Sequence, residues 1–304
     1  MKASSPVRVK SIAEFHRLWG LPQPEHPLIS VVDYSKINPG DVPASIMFEC
    51  YSIAIKRNMK FKMMYGQQKY DFDEGVMFFT APHQVIRVDI DQDTPAGHSG
   101  WILFVHPDFF WNTPLARSIK QYEYFNYTAN EALFLSEKEE SMVNNIIQNI
   151  QQEYHSNIDK FSQNIIISQI ETLLNYSERF YQRQFITRKI TNHKTLDRME
   201  QILEDYFKND DLAIKGLPTV QYVAEALNIS PGYLSGLLKV LTGQSTQQHI
   251  QDKIIEKAKE KLSTTDLSVS EIAYELGFEH PQSFSKLFKI KTNLSPLMFR
   301  QSFN

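Results

Sequence analysis

The feature that most constrains this 304-residue chain is a repeat within its last hundred residues. Val220-Gln221-Tyr222-Val223-Ala224-Glu225-Ala226-Leu227-Asn228-Ile229 lines up with Val269-Ser270-Glu271-Ile272-Ala273-Tyr274-Glu275-Leu276-Gly277-Phe278. After one inserted residue, Leu234-Ser235-Gly236-Leu237-Leu238-Lys239 lines up with Phe284-Ser285-Lys286-Leu287-Phe288-Lys289. Each copy has the apolar spacing of a short helix, then a turn residue, then the spacing of a second helix. The turn falls at Asn228 in one copy and at Gly277 in the other, the residue types that enter the left-handed backbone most easily. Ala224 and Ala273 fall where two crossing helices approach closely and a larger side chain would not fit. This is the plan of a helix-turn-helix unit, present twice. An amphipathic helix at about 247–262 joins the two copies.

Within each second helix one side is apolar: Leu234, Leu237, Leu238 and Leu241 in the first copy, Phe284, Leu287 and Phe288 in the second. That i, i+3, i+4 spacing turns one side toward the bundle and leaves the other facing outward. The outward side shows Gly232, Tyr233, Ser235, Gly236 and Lys239 in the first copy, and Gln282, Ser283, Lys286 and Lys289 in the second, where His280-Pro281 gives the helix a rigid start. Small, polar and cationic residues on such a helix suit the major groove, where Gln, Ser and Lys address base edges and phosphates. The expected contacts to DNA are therefore Tyr233, Ser235, Gly236, Lys239, His280, Gln282, Ser283, Lys286 and Lys289. A net charge of −3 does not oppose this, because the requirement is a local face. From Pro281 to Asn304 there are four cationic residues, Lys286, Lys289, Lys291 and Arg300, and no acidic one. Consecutive major grooves on one side of DNA lie about 34 Å apart, so a chain holding two such helices at a fixed separation can read two adjacent groove segments. A helical bundle with merely solvated faces explains one such unit poorly and two in tandem worse.

The stretch Ile272-Ala273-Tyr274-Glu275-Leu276-Gly277-Phe278, then Ser283 to Lys289, then Leu294-Ser295-Pro296-Leu297-Met298-Phe299-Arg300, resembles the signature of the AraC family of bacterial transcription regulators. Ser230 to Lys239 with Thr242-Gly243 resembles the matching part of the first unit, and the resemblance covers about residues 195–304. It implies sequence-specific binding to double-stranded promoter DNA, commonly as an activator that recruits RNA polymerase, and no enzymatic activity. The chain departs from the family at Gly236, where a basic or polar residue is usual, and at Asn293, where glycine is usual. Specificity is accordingly expected to rest more on Gln282, Ser283 and Lys286 than on the first helix.

Residues 1–135 read differently. Ile29-Ser30-Val31-Val32, Cys50 to Ile55, Gly75 to Phe79, Gln84 to Val88 and Gly100 to Val105 are β-prone runs between turn formers, the pattern of a barrel or sandwich. The character changes at Ser136, which stands three residues before Glu139 as in a capping box. Met142, Val143, Ile146, Ile147 and Ile150 then form a helical stripe, and a second helix is predicted over about 159–185. The polar, cationic segment 187–194 reads as a linker. The expected fold is α+β, with domain bounds at 1–135, 136–186 and 195–304. The family resemblance implies that the first part is a cupin-like β-barrel binding a small-molecule effector and that the trailing helices form a homodimer. Tyr51, Tyr65, Phe79, His83 and Trp101 are the aromatic and polar candidates for an effector pocket, although core packing alone would also explain them.

Two other readings compete. A cupin-type metalloenzyme needs a His-x-His pair, a downstream Glu and a further His; Asp73-Glu74-Gly75 with His83 resembles only the last piece, and Phe48 to Tyr70 contains no histidine. No metal or other cofactor is expected, and no phosphate-binding loop or nucleophile elbow is present. A protein-interaction module built on helix-turn-helix folds is the other alternative. A single cysteine, Cys50, excludes an intramolecular disulfide. The N-terminal residues lack the apolar core of a signal peptide, and no apolar run approaches the roughly 20 residues of a membrane helix. A cytoplasmic protein is expected.

Overall fold

The computed structural model describes residues 6–37, 43, 45–57, 64–65, 68–69, 75–87, 99–127, 131–155, 159–187, 189–208 and 212–302. These divide into two units, Met1–Gln184 and Phe185–Asn304.

The first unit begins β1 (Val7–Val9), α1 (Ile12–Leu18), β2 (Ile29–Asp33), β3 (Ser45–Phe48) and β4 (Tyr51–Arg57). It continues with β5 (Met64–Tyr65), β6 (Gln68–Lys69), β7 (Val76–Thr80), β8 (Val85–Arg87) and β9 (Ser99–Val105). The short α2 (Leu115–Ser118) and β10 (Leu133–Phe134) precede α3 (Glu137–His155) and α4 (Ser162–Thr187). A five-stranded sheet has the order β10-β7-β4-β9-β2, and a three-stranded sheet the order β1-β3-β8. The sheet-rich region with trailing helices is the architecture expected from the sequence.

Alternation along the strands decides which residues meet. Tyr51, Ile53 and Ile55 of β4 share a face with Met77 and Phe79 of β7 and with Trp101, Leu103 and Val105 of β9. Helices cover that face: the Tyr154 hydroxyl on α3 accepts the Val31 N–H at 3.0 Å, and Phe79 packs on Tyr124 and on Tyr181 of α4. On the opposite face Ala54, Ile102 and Phe104 join Ile46 and Phe48 of the smaller sheet, Ile12 and Phe15 of α1, and Trp19 just after it in one core between the sheets. Ser11 starts α1 by accepting the Glu14 N–H at 3.2 Å. The capping box at Ser136 forms as read, with its N–H on Glu139 Oε2 at 2.9 Å and its hydroxyl accepting the Glu139 N–H at 3.4 Å.

The second unit is all helical: α5 (Lys189–Lys208), α6 (Leu212–Lys215), α7 (Val220–Leu227), α8 (Pro231–Thr242), α9 (Thr246–Thr264), α10 (Val269–Glu275), α11 (Pro281–Thr292) and α12 (Pro296–Gln301). The segment 187–194, expected to be a linker, is helical from Lys189 onward. It contains neither glycine nor proline, so nothing in it breaks a helix. Met199 and Leu203 of α5, Val223, Ala224, Leu234 and Leu238 of the first repeat, Ile250, Ile254 and Ala258 of α9, and Ile272, Ala273, Phe284 and Phe288 of the second repeat share one continuous core.

Candidate nucleic-acid interface

The repeat folds as two helix-turn-helix units, α7–α8 and α10–α11, and their turns are left-handed at Asn228 (φ 57°) and Gly277 (φ 88°). Ala224 and Ala273 are fully buried where the helices of each unit cross. Thr219, Ser230, Ser245, Ser268 and Ser295 each accept an N–H from the first turn of the helix that follows, so these helix starts are fixed by side-chain hydroxyls. α9 spans 19 residues, about 28 Å at 1.5 Å per residue, and is buried against both units through Ile250, Ile254, Ile255, Ala258 and Leu262.

The two outward helices differ. On α11, Gln282, Ser283, Lys286 and Lys289 are all exposed beside an exposed His280 at the N-cap, while Phe284 and Phe288 hold the other side in the core. On α8, Lys239 is exposed, and Gly236 and Ser235 are half-buried. The Ser235 hydroxyl lies 3.1 Å from that of Thr246 on α9, which engages it within the unit. Tyr233, expected to face outward, is buried (4% exposed), with its ring edge-on to Phe185 at 5.0 Å. It stands four residues before Leu237, at the border of the buried stripe, and the aromatic ring follows that stripe inward.

The charge of the tail is also distributed unevenly. Lys291 pairs with Asp252 of α9 at 2.8 Å, and the Arg300 Nε–H donates to the Leu262 carbonyl at 3.2 Å. Among the described residues Lys286 and Lys289 have no such partner, so two of the four cations remain available to a ligand. Asp252 also accepts from Gln244 at 3.1 Å, bracing α9 between the end of α8 and α11. Glu204 of α5 takes Lys253 at 2.7 Å and Lys257 at 3.0 Å. These hydrogen bonds hold its carboxyl down at about 2 and occupy two cations of α9. Sequence spacing gave no signal for either brace, because the partners are 39 to 53 residues apart.

Of the effector candidates of the first unit, the described ones, Tyr51, Phe79, His83 and Trp101, do not meet between the sheets. Tyr51, Phe79 and Trp101 lie on the helix-covered face, where Tyr51 packs on Phe110 and Phe125 and the Trp101 indole N–H donates to Asn144 of α3 at 2.8 Å. His83 is exposed in a turn at φ 67°, with its N–H on the Phe48 carbonyl at 2.7 Å. The backbone of Tyr65 belongs to β5, but its side chain, like Asp73 and Glu74, lies outside the described residues. Among the described residues no group of three or more His, Cys, Asp or Glu could hold a metal ion, and no helix is long and apolar enough to cross a membrane.

A family model described as a helix-turn-helix domain matches residues 223–302. The chain is 33% identical over 143 residues to an uncharacterized HTH-type transcriptional regulator, YfiF, of Bacillus subtilis, covering 47% of this chain and 42% of that protein. It is 34% identical over 110 residues to the HTH-type transcriptional activator RhaS of Salmonella arizonae, covering 36% of this chain and 37% of that one. The chain thus spans less than half the length of either relative. Among solved structures, the C-terminal domain of the two-component response regulator yesN from Fusobacterium nucleatum matches with 31% identity and a TM-score of 0.31, over 35% of this chain and 98% of that one. The two helix-turn-helix units and the single core that holds them thus form a C-terminal helix-turn-helix domain of the AraC type, similar to that of these transcription regulators.

Proposed function

We propose that the second unit binds double-stranded promoter DNA in a sequence-dependent manner and that the chain regulates transcription there. The observation that carries this reading is the outer face of α11: a groove-sized helix with Gln282, Ser283, Lys286 and Lys289 exposed and no acidic residue along it. α11 is the principal reader in this proposal, with Gln282 and Ser283 on base edges and Lys286 and Lys289 on base or phosphate. α8 contributes Lys239 and the close approach that Gly236 permits, and acts mainly on the backbone. The first unit is the effector-binding and dimer-forming part, and the regulator is an activator that contacts RNA polymerase when bound. Footprinting of the intact chain on DNA upstream of its own and neighbouring genes tests this reading. Protection of two adjacent major-groove segments on one face is expected, and no protected site on any such DNA overturns it.

A further inference from the structure

Ile290 is an apolar residue that α11 shows to solvent among its polar and cationic ones. It is 66% exposed, and no large hydrophobic side chain among the described residues is more so. Its place on the helix is not marginal. At about 100° per residue, Ile290 lies about 40° around the axis from Lys286, toward Ser283, while the buried Phe284 and Phe288 lie about 160° from Lys286 on either side. The folded unit thus leaves an isoleucine in water on the same outward face as Gln282, Ser283 and Lys286. Branching at Cβ holds that side chain close to one rotamer in a helix, so little entropy is lost when a ligand covers it. The charges beside it are divided. Lys291 is turned to Asp252 of α9 at 2.8 Å, whereas Lys289 is exposed with no ion-pair partner among the described residues, and suits a phosphate. The last turns of α11 therefore present one available cation next to one apolar side chain. Leu294, Leu297 and Met298 are exposed as well, but they lie beyond the end of α11, in the turn and on α12.

We propose that Ile290 reads a thymine in the major groove through the C5 methyl group of the base. That methyl is the apolar group which base pairs present there, beside the hydrogen-bonding edges of the other bases. A side chain without donor or acceptor can favour one base only through it. Against the exocyclic amine of cytosine or adenine, the same side chain strips water from a donor and offers nothing in return. Ile290 stands about 6 Å along the axis from Lys286, close to two base-pair steps of about 3.4 Å, so its base lies beyond those that Gln282 and Ser283 address. The proposal rests on the reading of α11 as the helix that enters the groove, and it adds an apolar determinant to a face read so far as polar.

The test uses the intact chain and the duplex that it protects in footprinting, resynthesised with each thymine in turn replaced by deoxyuridine, which lacks only the methyl group. Fluorescence anisotropy reads the affinities. One replacement is expected to weaken binding of the unaltered chain about fourfold, the worth of roughly one buried methylene. Ile290→Ala is expected to bind the parent duplex more weakly by a similar factor and to be indifferent to that replacement, and Ile290→Val to retain part of the difference. A protected duplex without thymine, no replacement that weakens binding, or losses that persist unchanged at every position in Ile290→Ala overturns the methyl contact and leaves the reading of α11 standing. Weaker transcription activation by Ile290→Ala at unchanged DNA affinity also overturns it, and gives Ile290 to a protein-binding surface with Leu294, Leu297 and Met298. Absence of any protected duplex overturns both readings. The deoxyuridine scan of the unaltered chain needs no variant, so a scan without effect is decisive by itself.

Discussion

Gly277 sits against the backbone of Gly216: a Cβ built on it would stand 2.7 Å from the Gly216 carbonyl carbon and 2.8 Å from its oxygen. The turn of the second repeat therefore needs glycine twice over, once for its left-handed φ and once for the space. Its counterpart Asn228 needs only the conformation. Gly277→Ala is expected to destabilise the second unit by about 3 kcal/mol or more, the sum of left-handed strain and a backbone clash. Asn228→Ala should cost only about 1 kcal/mol. Urea unfolding followed by circular dichroism measures both, and equal losses would mean that the contact with Gly216 is without consequence.

Lys286 and Lys289 are the tail cations without internal partners, so their removal should register in the salt dependence of DNA binding. If Lys286 meets a phosphate, Lys286→Ala lowers the slope of log affinity against log salt by about 0.9 and weakens all sequences alike. Gln282→Ala should instead cost about 1–3 kcal/mol on the preferred site and far less on others. Fluorescence anisotropy at several salt concentrations separates the two, and a Lys291→Ala variant, whose lysine is held by Asp252, should change the slope less than Lys286→Ala.

Tyr233 is a core residue. Tyr233→Ala is expected to destabilise the second unit by about 3 kcal/mol through the lost ring packing on Phe185. Tyr233→Leu, which keeps apolar volume, should recover much of this and bind DNA nearly as the unaltered chain does. A Tyr233→Leu protein that is fully stable but has lost its operator would return this residue to the interface.

Glu204 has a folded pKa of about 2 against an ordinary 4.5, because Lys253 and Lys257 hold its charged form. A carboxyl with a depressed folded pKa contributes stability above its unfolded pKa and loses it as pH falls toward the folded one. The stability difference between the unaltered chain and Glu204→Gln should therefore be constant above about pH 5.5 and close between pH 4.5 and 2. Its size should be about 0.5–1 kcal/mol, as suits a partly exposed ion pair. Thermal unfolding of both proteins across that range checks it, and a difference that widens on acidification contradicts the assignment.

Cys50 is buried, and burial pushes its thiol up to about 12. At pH 8 its thiolate fraction is on the order of 10⁻⁴, so native protein should resist alkylation by iodoacetamide and react promptly in urea. Rapid labelling of the native chain, followed by mass spectrometry, would contradict the burial.

The two helix-turn-helix units could be read from the chain because their information is local: an alanine, a turn residue and an apolar triplet at fixed offsets. Tyr233 was misplaced because helical spacing leaves residues at the edge of a stripe undecided, and only the ring of Phe185 settles the matter. The segment 187–194 was undecided for a related reason, since a polar run without glycine or proline suits a linker and a helix equally well, and it is helical from Lys189. In the first unit the strands were visible, but their facing was not. Tyr51 and Phe79 are aromatic on either side of a sheet, and it is the pairing of β4 with β7 and β9 that turns them toward the helices.

α9 runs unbroken beneath both units, and that continuity makes it a gear between two teeth. One residue inserted near its middle would turn everything beyond it by about 100° and advance it by about 1.5 Å, against the core that both repeats share. The shift along the axis is trivial, but the rotation is not: α11 would be carried out of phase with α8. If both outward helices enter DNA as proposed, the distance between the two groove segments they reach is written in the length of one helix.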